Sequence, residues 1–267
     1  TADVVSGHWI TYDSQGGTYV APAFVKGNGT TTAPAAPSRP GYTFKHWSET
    51  KGGDAAFTFG YPLDQALTLY AVWTPNDNTS YTVIHWWQNA NDDGYTYHET
   101  ETKTGKTGEL TAATGKTYNV EGTNVLGQSA RDRVFTAQSI QQQTIAGDGS
   151  TIVNVYYTRK SYTITFRDEW GYSTLKTLTK KWGETLQASD WHTYNGDNNY
   201  KINDSSRMIA FLSTMPMNGA TLNAIGSNGS VNQATYYVEA LSSDESGAVK
   251  VGSRWFIVHH VDKTKGT

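Results

Sequence analysis

The chain has no cysteine. No disulfide can therefore staple it, and no thiolate can act as metal ligand or nucleophile. It also lacks an excess of positive charge. Lys and Arg total 21 against 24 Asp and Glu, a formal net charge of −3, so no basic field draws it to nucleic acid. No apolar run approaches the roughly 20 residues that span a bilayer, which argues against membrane insertion. Leucine and charged residues are modest. Gly, Thr, Asn, Ser and Tyr fill their place, the composition of short strands joined by many turns rather than of helices. At 267 residues the chain can hold two or three domains of ordinary size.

Two aromatic stretches stand out. Arg39-Pro40-Gly41-Tyr42-Thr43-Phe44-Lys45-His46-Trp47 is followed by Leu67-Thr68-Leu69-Tyr70-Ala71-Val72-Trp73. Each alternates apolar and polar residues, the period of a half-buried strand, and Pro40-Gly41 is a turn signal. Upstream, Trp9-Ile10-Thr11-Tyr12-Asp13 runs into Ser14-Gln15-Gly16-Gly17, residues that tolerate positive φ. A hairpin thus opens a unit of about seventy residues and an aromatic strand closes it.

This order of turn, Pro-Gly-Tyr-x-Phe-x-x-Trp and Leu-Tyr-Ala-x-Trp resembles the Listeria–Bacteroides repeat, or internalin B-repeat, over roughly residues 7–75. The resemblance implies a small β-grasp-like module of a multi-module, cell-wall-attached bacterial surface protein. It brings no catalytic residues to transfer. Together with the absence of cysteine it fits an exported Gram-positive protein. The sequence opens at Thr1 with no signal peptide and closes with no sorting signal, so it is expected to be cut from a longer surface protein.

Internal repetition sets the expected layout. Trp9-Ile10-Thr11-Tyr12, Ser80-Tyr81-Thr82-Val83 and Ser161-Tyr162-Thr163-Ile164 open three strands alike. Strands at 68–73, 151–157 and 220–225 are expected to end the three units. The expected modules are 1–76, 79–159 and 160–267, the last including part of a fourth from about 228 unless that stretch completes the third. The fold class is mostly β: an elongated tandem array of small β-grasp-like or β-sandwich-like modules. Polar joints at 75–79 and 158–160 are expected on the surface and open to proteases. The second unit resembles, more loosely, mucin-binding-type β-modules of Gram-positive adhesins. It contains a hairpin of 81–88 and 95–103 turned at Asp93-Gly94, a favoured turn dipeptide. A short helix is expected over 129–140.

Chemical motifs fail one after another. A P-loop needs a glycine five residues before Gly-Lys-Thr, and Thr100 and Leu110 stand there instead. Asn89, Asn91, Asp93 and Gly94 mimic the start of a calcium loop, but its twelfth position is Thr100 and no helices flank it. Asn195-Gly196-Asp197-Asn198-Asn199 is a similar oxygen-rich turn. His259 and His260 are adjacent on a strand and point to opposite faces, and no close histidine spacing suggests zinc. Asp92-Asp93 and Asp168-Glu169 are neighbours on turns and do not converge on a substrate. Lys, Asn, Thr and Gln are too plentiful to single out a covalent self-crosslink. The chain is therefore expected to be neither an enzyme nor dependent on a cofactor or metal.

The aromatics remain. Nine Trp and seventeen Tyr exceed what three small cores must hide. On the strand 81–88, Val83, His85 and Trp87 face one side while Ile84 and Trp86 face the other. Tyr95 and Tyr97 lie across the hairpin. Trp86, Trp87, Tyr95 and Tyr97, with Asn89, Asn91 and Asp93 at the tip, are the candidate ligand-binding residues. One tryptophan should pack inward and the other form an aromatic ledge. The expected function is a monomeric adhesin segment that binds a host glycan or glycoprotein, mucin or immunoglobulin among them. The other readings are a structural stalk, a specific binder of a host glycoprotein such as mucin or immunoglobulin through strand-edge pairing, and an accessory region of a secreted carbohydrate-active enzyme.

Overall fold

The computed structural model describes residues 4–194, 199–202, 208–209, 211–225, 233–239, 248–251 and 254–262. The loop at 195–198 and the boundary expected near 228 lie outside these. Strands dominate, and the helical turn among the described residues is a 3-10 turn at Ala188–Asp190. In chain order the strands are β1 (Gly7–Asp13), β2 (Ala23–Lys26), β3 (Tyr42–Ser48), β4 (Leu67–Pro75), β5 (Thr79–Gln88) and β6 (Tyr95–Gly105). They continue with β7 (Val120–Thr123), β8 (Ser129–Asp132), β9 (Phe135–Ala137), β10 (Ile152–Arg159), β11 (Ser161–Arg167) and β12 (Thr174–Lys181). The last are β13 (Tyr200–Lys201), β14 (Met208–Ile209), β15 (Ala220–Ala224), β16 (Gln233–Glu239), β17 (Ala248–Val251) and β18 (Arg254–Asp262). The chain divides into two compact units. The first comprises Thr1–Ile84, Glu99–Thr114 and Ile140–Val155; the second comprises His85–His98, Gly115–Ser139 and Tyr156–Thr267.

The first sheet has the order β2-β1-β4-β3. Gln15 (φ 51) and Gly16 (φ 87) turn the chain after β1, and the Gly17 amide donates to the Ser14 carbonyl at 3.0 Å. β2 returns antiparallel, and β4 then lies parallel to β1, with Ile10 opposite Leu67. Alternation sends Ile10, Tyr12, Val25, Leu69 and Ala71 into one core. Strict alternation would put Phe44 and Trp47 on opposite faces. A register shift between Phe44 and His46 brings both to the core, with rings 5.5 Å apart. The Trp73 indole donates to the Ser14 carbonyl at 2.9 Å, tying the closing strand to the opening turn.

The order recurs. The next sheet runs β6-β5-β10-β9, and the last begins β12-β11-β15-β13. In each, the strand with the shared opening stands between its hairpin partner and a later strand. β11 pairs antiparallel with β12 and parallel with β15, as β1 does with β2 and β4. The repetition of Ser-Tyr-Thr is thus a repetition of strand role. The last sheet continues from β13 through β14, β16 and β18 to β17. Its core holds Ile164, Phe166, Tyr200, Met215, Met217 and Leu222, all fully buried.

One expectation needs correction. The helix over 129–140 does not form. β8 pairs with β7 around an Asn124–Gln128 turn, in which Asn124 Oδ1 accepts from the Leu126 and Gln128 amides. β9 pairs with β10 and buries Phe135. Sheet pairing outweighs a weak helical periodicity. Both joints reach the surface, with Asp77, Asn78, Thr158 and Lys160 exposed, while their backbone is paired. The Asn76 amide donates to the Gly41 carbonyl, and the Asn76 carbonyl accepts from Thr107, both at 2.9 Å. At the second joint Lys160 donates its amide to Val134 (2.8 Å) and accepts from the Trp182 amide (2.9 Å). Backbone held this way resists the local opening that proteolysis needs.

Around Lys160 a charge contact predicts an acid response. Asp132 Oδ2 accepts from Lys160 Nζ and from the Tyr162 hydroxyl, each at 2.6 Å. These bonds, that from Lys160 first, hold the Asp132 pKa below its ordinary 3.8, at about 2. A folded pKa below the unfolded one gives stability that is present above about pH 4 and lost as pH falls toward 2. Thermal unfolding of the second unit should weaken over that window, and Asp132→Asn should flatten the loss. A variant with an unchanged acid profile would remove Asp132 from the account.

Candidate functional site

The strand halves that belong to the second unit build two aromatic faces. On β5, burial alternates so that His85 is fully buried and Trp86 and Trp87 are each half-buried, on opposite sides. Trp87 turns inward. Its ring lies between His98 (centroids 3.5 Å apart, stacked) and Phe135 (4.1 Å, stacked), with Tyr118 edge-on at 5.1 Å. Its Nε1 is buried with no hydrogen-bond partner among the described residues. Beside it the Tyr157 hydroxyl accepts from the Lys116 amide (2.8 Å) and pairs with His85 Nδ1 (2.8 Å).

Trp86 turns the other way. Its ring stands 6.1 Å from Tyr97, edge-on, and 6.4 Å from Tyr156, nearly parallel at 21°. Tyr95 meets Tyr156 edge-on at 4.8 Å. Tyr97 is 55% exposed and Tyr156 40%, so the cluster reaches solvent rather than closing on itself. At its side the Gln138 amide donates to the Tyr95 hydroxyl at 2.6 Å, and Thr158 and Thr136 are exposed. Offset and edge-on rings of this kind keep one another rigid while presenting C–H-binding faces and polar edges.

The structure therefore brings Trp86, Tyr95 and Tyr97 together and places Trp87 apart from them. Tyr156 is a member that sequence reasoning missed. The alternation in Val153-Asn154-Val155-Tyr156-Tyr157 marks it as outward, but the neighbourhood of β10 and β5 is not local information. The tip residues are engaged elsewhere. The Asn89 amide nitrogen donates to Asp92 Oδ1 at 2.8 Å, and its Oδ1 accepts from Thr96 at 2.6 Å. Asn91 Oδ1 accepts from the Thr185 amide at 2.8 Å. Lys181 Nζ donates to the Asp92 carbonyl (2.6 Å) and to Asp93 Oδ1 (3.2 Å). The hairpin tip thus seats on the loop after β12. Hydrogen bonds from Asn89 and then Gly94 lower the Asp92 pKa. Among the described residues no group of three or more His, Asp or Glu is placed to hold a metal.

The first sheet carries the family match. Gly16 and Gly17 turn beneath Trp73, and a Cβ on Gly17 would lie 2.5 Å from that indole. Tyr12, Phe44, Trp47 and Trp73 form one cluster of tilted and edge-on rings, and Pro40-Gly41 turns with Gly41 at φ 76. Residues 8–72 match the Listeria-Bacteroides repeat domain. Repeats of this kind are typical of extracellular or surface proteins. The motif residues of this repeat are thus core and turn residues. No curated protein matches the chain. The mucin-binding-type resemblance of residues 79–159 rests on sequence likeness alone. No described helix is long and apolar enough to cross a membrane.

Proposed function

We propose that this chain is a segment of a bacterial cell-surface adhesin. It binds a host glycan or glycoprotein, such as mucin or immunoglobulin, non-covalently and without enzymatic chemistry. The contact surface is the outward face of Trp86, Tyr95, Tyr97 and Tyr156. The observation that carries this reading is the exposure of a rigid four-ring cluster on a sheet whose opposite face supplies the core. Flat rings supply affinity by stacking, and neighbouring amides and hydroxyls orient a ligand's polar groups. The surface location follows the repeat at residues 8–72, and cell-wall attachment in a Gram-positive parent is part of the proposal.

The test is recovery of purified mucin and of immunoglobulin on the immobilised chain. Trp86→Ala should weaken retention of the bound protein by about 1–3 kcal/mol, as loss of a hot-spot aromatic does. Its melting temperature should stay near wild type, because the rings it touches, Tyr97 and Tyr156, stand with centroids 6.1 and 6.4 Å away and are themselves open to solvent. Equal retention by wild type and variant would leave the second reading, a stalk. That reading has its own support in the two joints, whose backbone groups are hydrogen-bonded rather than loose.

A further inference from the structure

The four-ring face also carries information about the charge of what it binds, and this deepens the proposed function and rests on it. The residues that β5, β6, β9 and β10 contribute to the second unit include a single permanently charged side chain, Arg159. Alternation along β10 sends Tyr156 and Thr158 outward and Tyr157 and Arg159 inward. Arg159 is held on that inner side. Its Cζ lies 4.9 Å from the Phe135 ring and 5.3 Å from the Trp182 ring. Its Nε donates to the Gln88 carbonyl at 2.8 Å, and one Nη donates to the Trp182 carbonyl at 3.3 Å. Lys160, the next residue, is paired with Asp132.

The outward face is left with rings, the Tyr hydroxyls, the Gln138 amide, Thr136 and Thr158. None is a cation. Tyr95 accepts from Gln138 and so keeps its own hydrogen to donate, while the Gln138 carbonyl oxygen can accept. Alternating donors and acceptors beside a ring match the vicinal hydroxyls of a pyranose whose C–H face stacks on the ring. A carboxylate or sulfate placed there would lose its hydration with no charged partner to replace it. We infer that the face formed by Trp86, Tyr95, Tyr97 and Tyr156 takes neutral pyranose units and selects against sialylated or sulfated glycans.

The experiment measures binding of N-acetyllactosamine, its sialylated form and its sulfated form to the full chain, at about 0.05 and about 0.5 M salt. The inference expects the neutral sugar to bind more tightly than either anionic form, with affinity unchanged by salt. Trp86→Ala and Tyr97→Ala should each weaken it roughly tenfold, the effect of removing one stacking ring at a small contact. Equal binding of the three forms, preference for the anionic ones, or loss of binding at high salt overturns the selection for neutral sugar while leaving the face as the contact surface. If no sugar binds but Trp86→Ala still reduces recovery of a host protein, the inference falls and the binding face stands. If no sugar binds and Trp86→Ala changes nothing, both fall together.

Discussion

Trp87→Ala should lower the stability of the second unit by about 3–5 kcal/mol, the cost of emptying a large aromatic site in a packed core. The indole is stacked on both faces, by His98 and Phe135, and met at its edge by Tyr118. Removing it leaves three rings without a common partner. Those rings stand on β6, on β9 and in the segment before β7, so the gap cannot close by moving one side chain. Urea unfolding followed by the fluorescence of the remaining tryptophans reads the effect as a fall in midpoint. Trp87→Phe should recover a substantial part, because it keeps a ring in the slot. A fall of less than about 1 kcal/mol would show that the slot is loosely packed.

Gly147→Ala should destabilise the first unit by roughly 3 kcal/mol, the upper part of the range for forced overpacking. A Cβ on Gly147 would lie 2.0 Å from the Pro40 carbonyl oxygen and 2.9 Å from its carbon. Both are backbone atoms of the turn that reverses the chain into β3, so no side chain can swing away. Gly41 faces Gly147 from the other side, and its own Cβ would come 2.3 Å from the Gly147 Cα. Gly52→Ala is the control. Gly52, unlike Gly147, sits at positive φ (70), and nothing lies within 4 Å of an added Cβ. Only the backbone cost of about 1–2 kcal/mol should appear there. Similar losses at Gly147 and Gly52 would mean that the two turns do not approach as closely as the structure has them.

Much of the strand layout is legible in the sequence because it follows from local rules. Period-two alternation marks β1, β4, β5, β10 and β11, and Asp93-Gly94 marks the hairpin between β5 and β6. The opposition of Trp86 and Trp87 follows from the same period. Other features depend on distant partners. The bulge that turns Phe44 and Trp47 to one side breaks the period that reveals the strand. Residues 120–137 have too little pattern of their own, and their strands are fixed by turn chemistry at Asn124 and by the edge of β10. The candidate site shows the same limit. Tyr156 joins Trp86 across a strand pairing seventy residues apart in sequence. Asn91 and Asp93 read as a free polar tip until Lys181 and Thr185, about ninety residues later, are seen to hold them.

The most direct test of the binding face observes the indole N–H resonances of the nine tryptophans by two-dimensional NMR while mucin-type glycopeptide is added. The account predicts that the Trp86 signal shifts or broadens progressively, together with ring signals of Tyr97 and Tyr156. The signals of Trp87, packed inward, and Trp47, in the core of the first sheet, should stay in place. Perturbation confined to other tryptophans, with Trp86 unchanged at saturation, would contradict the account and move the binding surface elsewhere on the chain.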